Sequence, residues 1–163
     1  MKELSIKTIN EKAAYTVYTT TSKQDFSFLT EQGIQYAISF MEEFEIGGCM
    51  SYQFCINNHN KKHGSYDSKV QATILCIIEE FFAKNANILL YICDTSDNKE
   101  AARNRLFLRW FREYTNPNEY TICTANSQVE GEYYYTAIII ENKNPLKEQI
   151  IADFSKISST LEK

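Results

Sequence analysis

The chain has 163 residues, of which 44% are hydrophobic, and its formal net charge is −4 at pH 7. This length is sufficient to bury one well-filled core, and nothing in the composition marks a second domain, so we expect a single domain over residues 1–163. The negative charge argues against general affinity for nucleic acids, because tight non-specific binding requires many Lys and Arg side chains to neutralise phosphates. Any nucleic-acid role would depend on a local basic patch.

The N-terminus and the cysteines indicate the cellular compartment of the protein. Residues 1–13 form a polar lead that need not be ordered and that lacks the apolar core of a signal peptide, and no run approaches membrane-spanning length. The five cysteines contain no Cys-x-x-Cys pair, and an odd number at core-type positions fits reduced, buried thiols. We therefore expect a cytoplasmic protein with no membrane segment. The cysteines are Cys49, Cys55, Cys76, Cys93 and Cys123.

Four strands are predicted before the first helix, at 14–20, 25–30, 34–42 and 49–57. In the last two, large apolar side chains alternate with smaller or polar ones. This period-two pattern predicts an antiparallel meander with one face on the core and the other in solvent. The inward-facing residues are Ile34, Tyr36, Ile38, Phe40, Met50, Tyr52, Phe54 and Ile56.

A polar loop at 57–65 holds both histidines, His59 and His63. Lys61 and Lys62 lie between them and repel a cation, and a transition-metal site usually needs a third or fourth positioned ligand. We expect no metal and no other cofactor, and interpret the segment as a loop that is exposed or contacts a partner.

The first helix is predicted to begin at Asp67, as a cap, or with a capping box of Ser68 and Gln71, and to end near Lys84. Its apolar residues share one stripe, which predicts a core-facing helix. The helix connects the fourth strand to the fifth, and a connection of this length predicts that the fifth strand is parallel to at least one neighbour. The stripe contains Val70, Ile74, Ile77, Ile78, Phe81 and Phe82.

Residues 87–114 organise the rest of the chain. Ile88–Cys93 is an apolar run too short for a typical helix, which predicts a strand covered on both faces. Asp94 and Asp97 in the following turn suit the start of a helix close to Asp97. On a projection of about 100° per residue, Trp110 is central to the buried arc. The arc also contains Leu106, Phe107, Phe111 and Tyr114.

Arg103 projects into the middle of that arc, where an unpaired guanidinium would be costly to desolvate. It therefore needs a partner, and the nearest carboxylates in sequence are those of Asp94 and Asp97. Two interpretations stay open. Arg103 either pins the helix start to the sheet, or these three residues line a site for a phosphate-bearing ligand or nucleic acid where strand meets helix.

Arg105, Arg109 and Arg112 gather on the opposite side of the same helix, at i, i+4 and i+7. This basic stripe is either a solvated helix face or a binding surface. Residues 97–114 carry five basic and three acidic side chains, a net charge of +2 against −6 for the other residues. Such asymmetry favours an acidic protein partner, or another copy of the chain, at least as much as a nucleic acid.

The remaining residues predict a hairpin, 119–125 with 132–141, and a helix after Asn144 and Pro145. The second hairpin strand is apolar on both faces, so we expect it to be interior or covered by a partner. The predicted fold is α+β in the order ββββαβαββα, with a mostly antiparallel sheet and helices mainly on one face. The last helix has the apolar stripe Leu146, Ile150, Ile151, Phe154, Ile157 and Leu161.

Several kinds of catalytic site are missing from the sequence. The five glycines cannot assemble a Gly-rich phosphate loop, and no Gly-x-Ser-x-Gly motif occurs. Capping explains Asp94 and Asp97 without catalysis, so we assign no catalytic residue. The sequence favours a non-enzymatic protein-interaction module, with the ligand site at Asp94, Asp97 and Arg103 as the alternative.

The segments Tyr91–Asp94, Ala102–Phe107 and Arg109–Phe111 resemble the signature of a small uncharacterised family of Bacteroidetes proteins. Its members are similar in length and order, with a turn like Thr30–Gly33 and a helix that ends in a pair like Phe81–Phe82. The resemblance implies a single small cytoplasmic domain. It brings no catalytic residue, ligand or activity.

Overall fold

The computed structural model describes the backbone of residues 1–19, 25–62, 64–93, 100–114, 116, 118–129 and 132–161. Side chains are described for the same residues except 93, 100–104, 114, 127–129, 132–133 and 159–161.

The described residues form four helices and one seven-stranded sheet, an α+β fold with the strand order β1-β2-β3-β4-β5-β7-β6. The predicted order of elements is confirmed, with one helix added at the N-terminus. No helix in the described part of the chain is long and apolar enough to cross a membrane. The elements are α1 (Ile6–Lys12), β1 (Tyr18–Thr19), β2 (Asp25–Leu29), β3 (Gln35–Ile46), β4 (Cys49–Asn58), α2 (Ser68–Lys84), β5 (Ile88–Cys93), α3 (Glu100–Tyr114), β6 (Tyr120–Val129), β7 (Glu132–Glu141) and α4 (Lys147–Leu161).

The residues of the chain group into two compact units, Met1–Met41 with Phe54–Ala86, and Glu42–Gln53 with Asn87–Lys163. The expectation of a single domain over the whole chain stays a prediction.

The N-terminal lead of the first unit is ordered by contacts that lie far away in sequence. Helix α1 begins after Ser5, whose hydroxyl accepts from the Thr8 amide at 3.2 Å. The Ser5 amide donates to Glu80 at 3.0 Å, and the Lys2 amide donates to Asn85 at 2.7 Å. Both acceptors are buried side chains of the α2 region, so the lead is fixed to that region.

Strand β1 is shorter than the predicted 14–20, because the backbone before it bonds to side chains. The Val17 backbone amide donates to Asn10 Oδ1 at 2.7 Å, and Asn10 Nδ2 donates to the Val17 carbonyl at 2.9 Å. The Tyr15 amide donates to Thr73 Oγ1 at 3.0 Å. These groups are therefore unavailable for a strand ladder.

The core of the first unit is aromatic. Phe40 of β3 stacks on Phe81 of α2 with ring centroids 5.0 Å apart, and it also contacts Phe54 and Phe26. Asp67 caps α2 by accepting from the Lys69 amide at 2.9 Å, which selects the first of the two predicted caps. The predicted apolar stripe of α2 is buried.

Strand β5 lies in the middle of the second unit. It is parallel to β4, with Ser51 opposite Ile88, and antiparallel to β7, with Leu89 opposite Ile139. Residues 88–91 are buried on both faces, as the sequence predicts. Strand β7 lies between β5 and β6, so its predicted interior position is confirmed.

The two faces of β5 are covered by different helices. Ile88 and Leu90 belong to a buried cluster that includes Ile150 and Phe154 of α4. Because side chains alternate across a strand, Tyr91 points to the other face. There it stacks on Phe107 of α3 with ring centroids 4.0 Å apart. Helices α3 and α4 therefore cover opposite faces of this unit.

The predicted solvent-exposed face of β4 needs a correction. The alternating pattern assigned Ser51 and Cys49 to the wet face, but both are buried, and for Cys49 this agrees with its expected position as a core thiol. Cys49 lies in the cluster with Ile150, so α4 covers the face of β4 that the alternating pattern assigned to solvent.

Gly47 and Gly48 connect β3 to β4 with φ values of 58° and 77°. A two-residue hairpin turn with both residues in the left-handed region favours glycine. Gly47 also lies against α4: its amide donates to Asp153 at 2.8 Å, and a Cβ at this position would lie 2.6 Å from the Ile150 backbone. At Gly48 the nearest atoms to such a Cβ are 3.9 Å away.

We expect Gly47→Ala to lower the free energy of unfolding by roughly 3–5 kcal/mol, because backbone strain and a clash with α4 combine. Gly48→Ala is the matched control, with strain but no clash, and we expect a loss of about 1 kcal/mol. Urea unfolding measures both values. Equal losses for the two variants would show that the contact with α4 is not tight.

Candidate interaction surface

Helix α3 is anchored by Phe107, Leu108 and Phe111, which are buried. Phe107 stacks on Tyr91, and Phe111 meets Tyr120 edge to face with centroids 5.4 Å apart. The side of the helix that packs on the sheet is therefore apolar and aromatic.

The predicted centre of this buried arc was wrong. Trp110 and Leu106 are only half-buried, whereas Leu108, which the projection left out, is buried. The observed arc is centred roughly 100° away from Trp110. The prediction took the largest apolar side chain, Trp110, as the centre of the buried arc. The side chains that are buried are instead those of Phe107, Leu108 and Phe111.

The alternative site of Asp94, Asp97 and Arg103 lies outside the described residues. Arg103 was expected in the middle of the arc because Trp110 was taken as its centre. The buried arc is centred instead on Phe107, Leu108 and Phe111, so that geometric reason is lost. A ligand site at Asp94, Asp97 and Arg103 stays a prediction.

Arg105, Arg109 and Arg112, named here the arginine stripe, are all exposed. They lie between roughly 90° and 150° from the centre of the buried arc. Arg109 Nε is 3.9 Å from Glu113 Oε1, with side chains 62% and 55% exposed, and such a pair contributes little to stability. No carboxylate in the described part of the chain forms an ion pair with Arg105 or Arg112.

A second charged surface was missed from the sequence. Residues Glu42, Glu43, Phe44 and Glu45 of β3, named here the acidic segment, are all exposed, and Phe44 is 47% exposed. The strand was predicted to end at residue 42, whereas β3 continues to Ile46. The available signal was three carboxylates within four residues.

The three carboxylates of the acidic segment have different surroundings. Glu42 accepts a hydrogen bond from the buried Tyr52 hydroxyl at 2.7 Å, so it is tied to β4. Among the described residues, none forms an ion pair with Glu43 or Glu45. Glu42 is therefore partly structural, and the other two carboxylates are available to a partner.

The histidine loop offers no described metal site. His59 is exposed and its amide donates to the Gln35 carbonyl at 2.8 Å, whereas His63 lies outside the described residues. Within the part of the chain that the structure describes, no three His, Cys, Asp or Glu side chains gather to hold a metal ion.

The contact between Tyr52 and Glu42 makes stability depend on pH. Burial, and then the hydrogen bond to Glu42, raise the pKa of Tyr52 from 10.0 to about 12. The neutral phenol therefore stabilises the folded state fully below pH 10.0, and this stabilisation is lost as the pH rises towards 12. We expect Tyr52→Phe to reduce the fall in the free energy of unfolding over this range.

Urea unfolding at several pH values across that range measures the effect, and Tyr18→Phe, at a ring that is 60% exposed, is the matched control. An identical pH dependence for Tyr52→Phe and wild type would contradict the contact.

Comparison with known proteins places the chain in a family. A model described as a family of unknown function, DUF6169, matches residues 66–156, more than half of the 163 residues. The match includes the arginine stripe and not the acidic segment. No curated protein matches the chain. The chain therefore belongs to the DUF6169 family, a family of unknown function.

Proposed function

We propose that the chain is a non-enzymatic protein-interaction module that binds an acidic protein surface through the arginine stripe. One observation supports this most: three guanidinium groups are exposed on the outer side of a helix whose inner side is packed on the sheet. Arg109 lies 3.9 Å from Glu113, and no carboxylate in the described part of the chain forms an ion pair with Arg105 or Arg112.

The chemistry of the stripe suits carboxylates. A guanidinium is planar and donates two parallel hydrogen bonds to a carboxylate, which makes Arg better than Lys at such contacts. Positions 105 to 112 span about 10 Å along a helix. The stripe can therefore meet two or three acidic side chains at once without bending the helix.

The rigidity of α3 reduces the cost of binding. Phe107 and Phe111 are 4% and 1% exposed and hold the helix on the sheet. The backbone that carries the arginines is then already ordered, so only the long side chains lose freedom when a partner binds.

We also propose a cytoplasmic setting in a bacterium. Cys76 and Cys123 are present as free thiols, and burial raises the pKa of both, which disfavours the reactive thiolate. Such thiols are typical of a reducing compartment. The resemblance in residues 91–111 supports a bacterial origin.

Affinity capture from a lysate of the source organism tests the proposed function. We expect the triple variant Arg105→Ala, Arg109→Ala, Arg112→Ala to retain about tenfold less of the proteins captured by wild type, because exposed arginines that meet carboxylates are frequent binding hot spots. Quantitative mass spectrometry of the retained proteins measures the loss.

A second triple variant controls for the change in net charge. It replaces the exposed Lys7, Lys61 and Lys62 by Ala, and we expect it to capture the same proteins as wild type. Urea unfolding should place both triple variants within about 1 kcal/mol of wild type, because exposed side chains contribute little to stability. Equal capture by wild type and the arginine variant would contradict the proposal.

A further inference from the structure

We infer that the acidic surface bound by the arginine stripe is the acidic segment of a second copy of this chain. This inference rests on the proposed function, because it uses the same stripe, and it adds the identity of the partner. Both surfaces belong to the same compact unit, so every copy carries the two halves of the contact.

The charges of the two surfaces are complementary. The stripe presents three guanidinium groups and the acidic segment presents the carboxylates of Glu43 and Glu45 on one side of β3, and all five side chains are exposed. Arg105 and Arg112 form no ion pair with a described residue, and neither do Glu43 and Glu45. Within the described residues, Arg105 and Arg112 therefore lack the carboxylates that the acidic segment provides, and Glu43 and Glu45 lack the guanidinium groups that the stripe provides.

The spacing of the charges is similar on the two surfaces. Arg105 and Arg109 are four residues apart on a helix, a rise of about 6 Å. Glu43 and Glu45 are two residues apart on a strand and point to the same side, about 6.7 Å apart. These separations match, so each carboxylate of one copy can meet one guanidinium of the other in two-point contact.

Phe44 lies between Glu43 and Glu45 in sequence and is 47% exposed. Because side chains alternate along a strand, its ring points to the side of β3 opposite to these two carboxylates. The contact with the arginine stripe is therefore made by the carboxylates of Glu43 and Glu45 and not by this ring.

Reversal of the charges on both surfaces tests the inference with purified protein. One variant carries Arg105→Glu and Arg109→Glu, and the other carries Glu43→Lys and Glu45→Lys. Glu42 is left unchanged because it holds Tyr52. In each variant alone, the stripe and the acidic segment carry the same charge and repel, whereas in a mixture both contacts between the two variants are complementary.

Sedimentation velocity at low ionic strength measures the association. We expect wild type to self-associate, less strongly as salt is added, each variant alone to associate at least tenfold more weakly, and the equimolar mixture to recover association. A variant with Lys61→Glu and Lys62→Glu controls for net charge and should behave as wild type. Circular dichroism confirms that each variant is folded.

Two outcomes would overturn the inference: a wild-type chain that stays monomeric at all concentrations and salts, or a mixture of the two variants that fails to associate. If wild type is monomeric but the arginine triple variant still loses its captured proteins, the proposed function stands and only the second copy is wrong. If capture is unchanged as well, the stripe is a solvated helix face.

Discussion

The burial of strand β5 on both faces is the constraint on which the second unit depends. Ile88 and Leu90 need an apolar cover on one side, and Leu89 and Tyr91 need one on the other. Each such side chain contributes roughly 1.5–3 kcal/mol when it leaves water. Helix α4 provides the first cover and helix α3 the second. Because α3 directs Phe107 and Phe111 inward, the arginines at 105, 109 and 112 point outward.

The same core positions the acidic segment. Residues 42–45 lead into the Gly47–Gly48 turn, and this turn is held by the bond from the Gly47 amide to Asp153 of α4. Tyr52 fixes Glu42 from the neighbouring strand. The negative surface is thus tied to α4 and β4, and the positive surface to α3. Neither surface would need to fold on binding the proposed partner, which would limit the entropic cost of binding.

Much of the fold could be predicted from the sequence because its signals are local. The apolar run 88–93 indicates a strand buried on both faces, and the stripe from Val70 to Phe82 indicates a core-facing helix. What could not be predicted depends on contacts between distant residues. The Asn10 side chain hydrogen-bonds the backbone amide and carbonyl of Val17, which shortens β1. Glu80 and Asn85 accept hydrogen bonds from the N-terminal lead and order it.

The candidate surfaces likewise depend partly on local signals and partly on contacts between distant residues. Spacing alone was sufficient to place three arginines on one exposed side of α3, but the rotation of that helix was misjudged because Trp110 was taken as the buried centre. The acidic segment was missed because its exposure depends on how far β3 continues. Which charges are already neutralised is a property of three-dimensional neighbours, and only the structure provides it.

The proposed contact between two copies is tested most directly by a photo-crosslink from a position next to the acidic segment. Met41 is 49% exposed and lies on the same side of β3 as Glu43 and Glu45, so its replacement by p-benzoylphenylalanine leaves both carboxylates in place. Mixing this protein with an isotopically heavy wild-type chain separates links between copies from links within one. We expect crosslinks from position 41 to residues 105–112 of the heavy copy. Crosslinks confined to its own chain, or to another surface of the heavy copy, would contradict it.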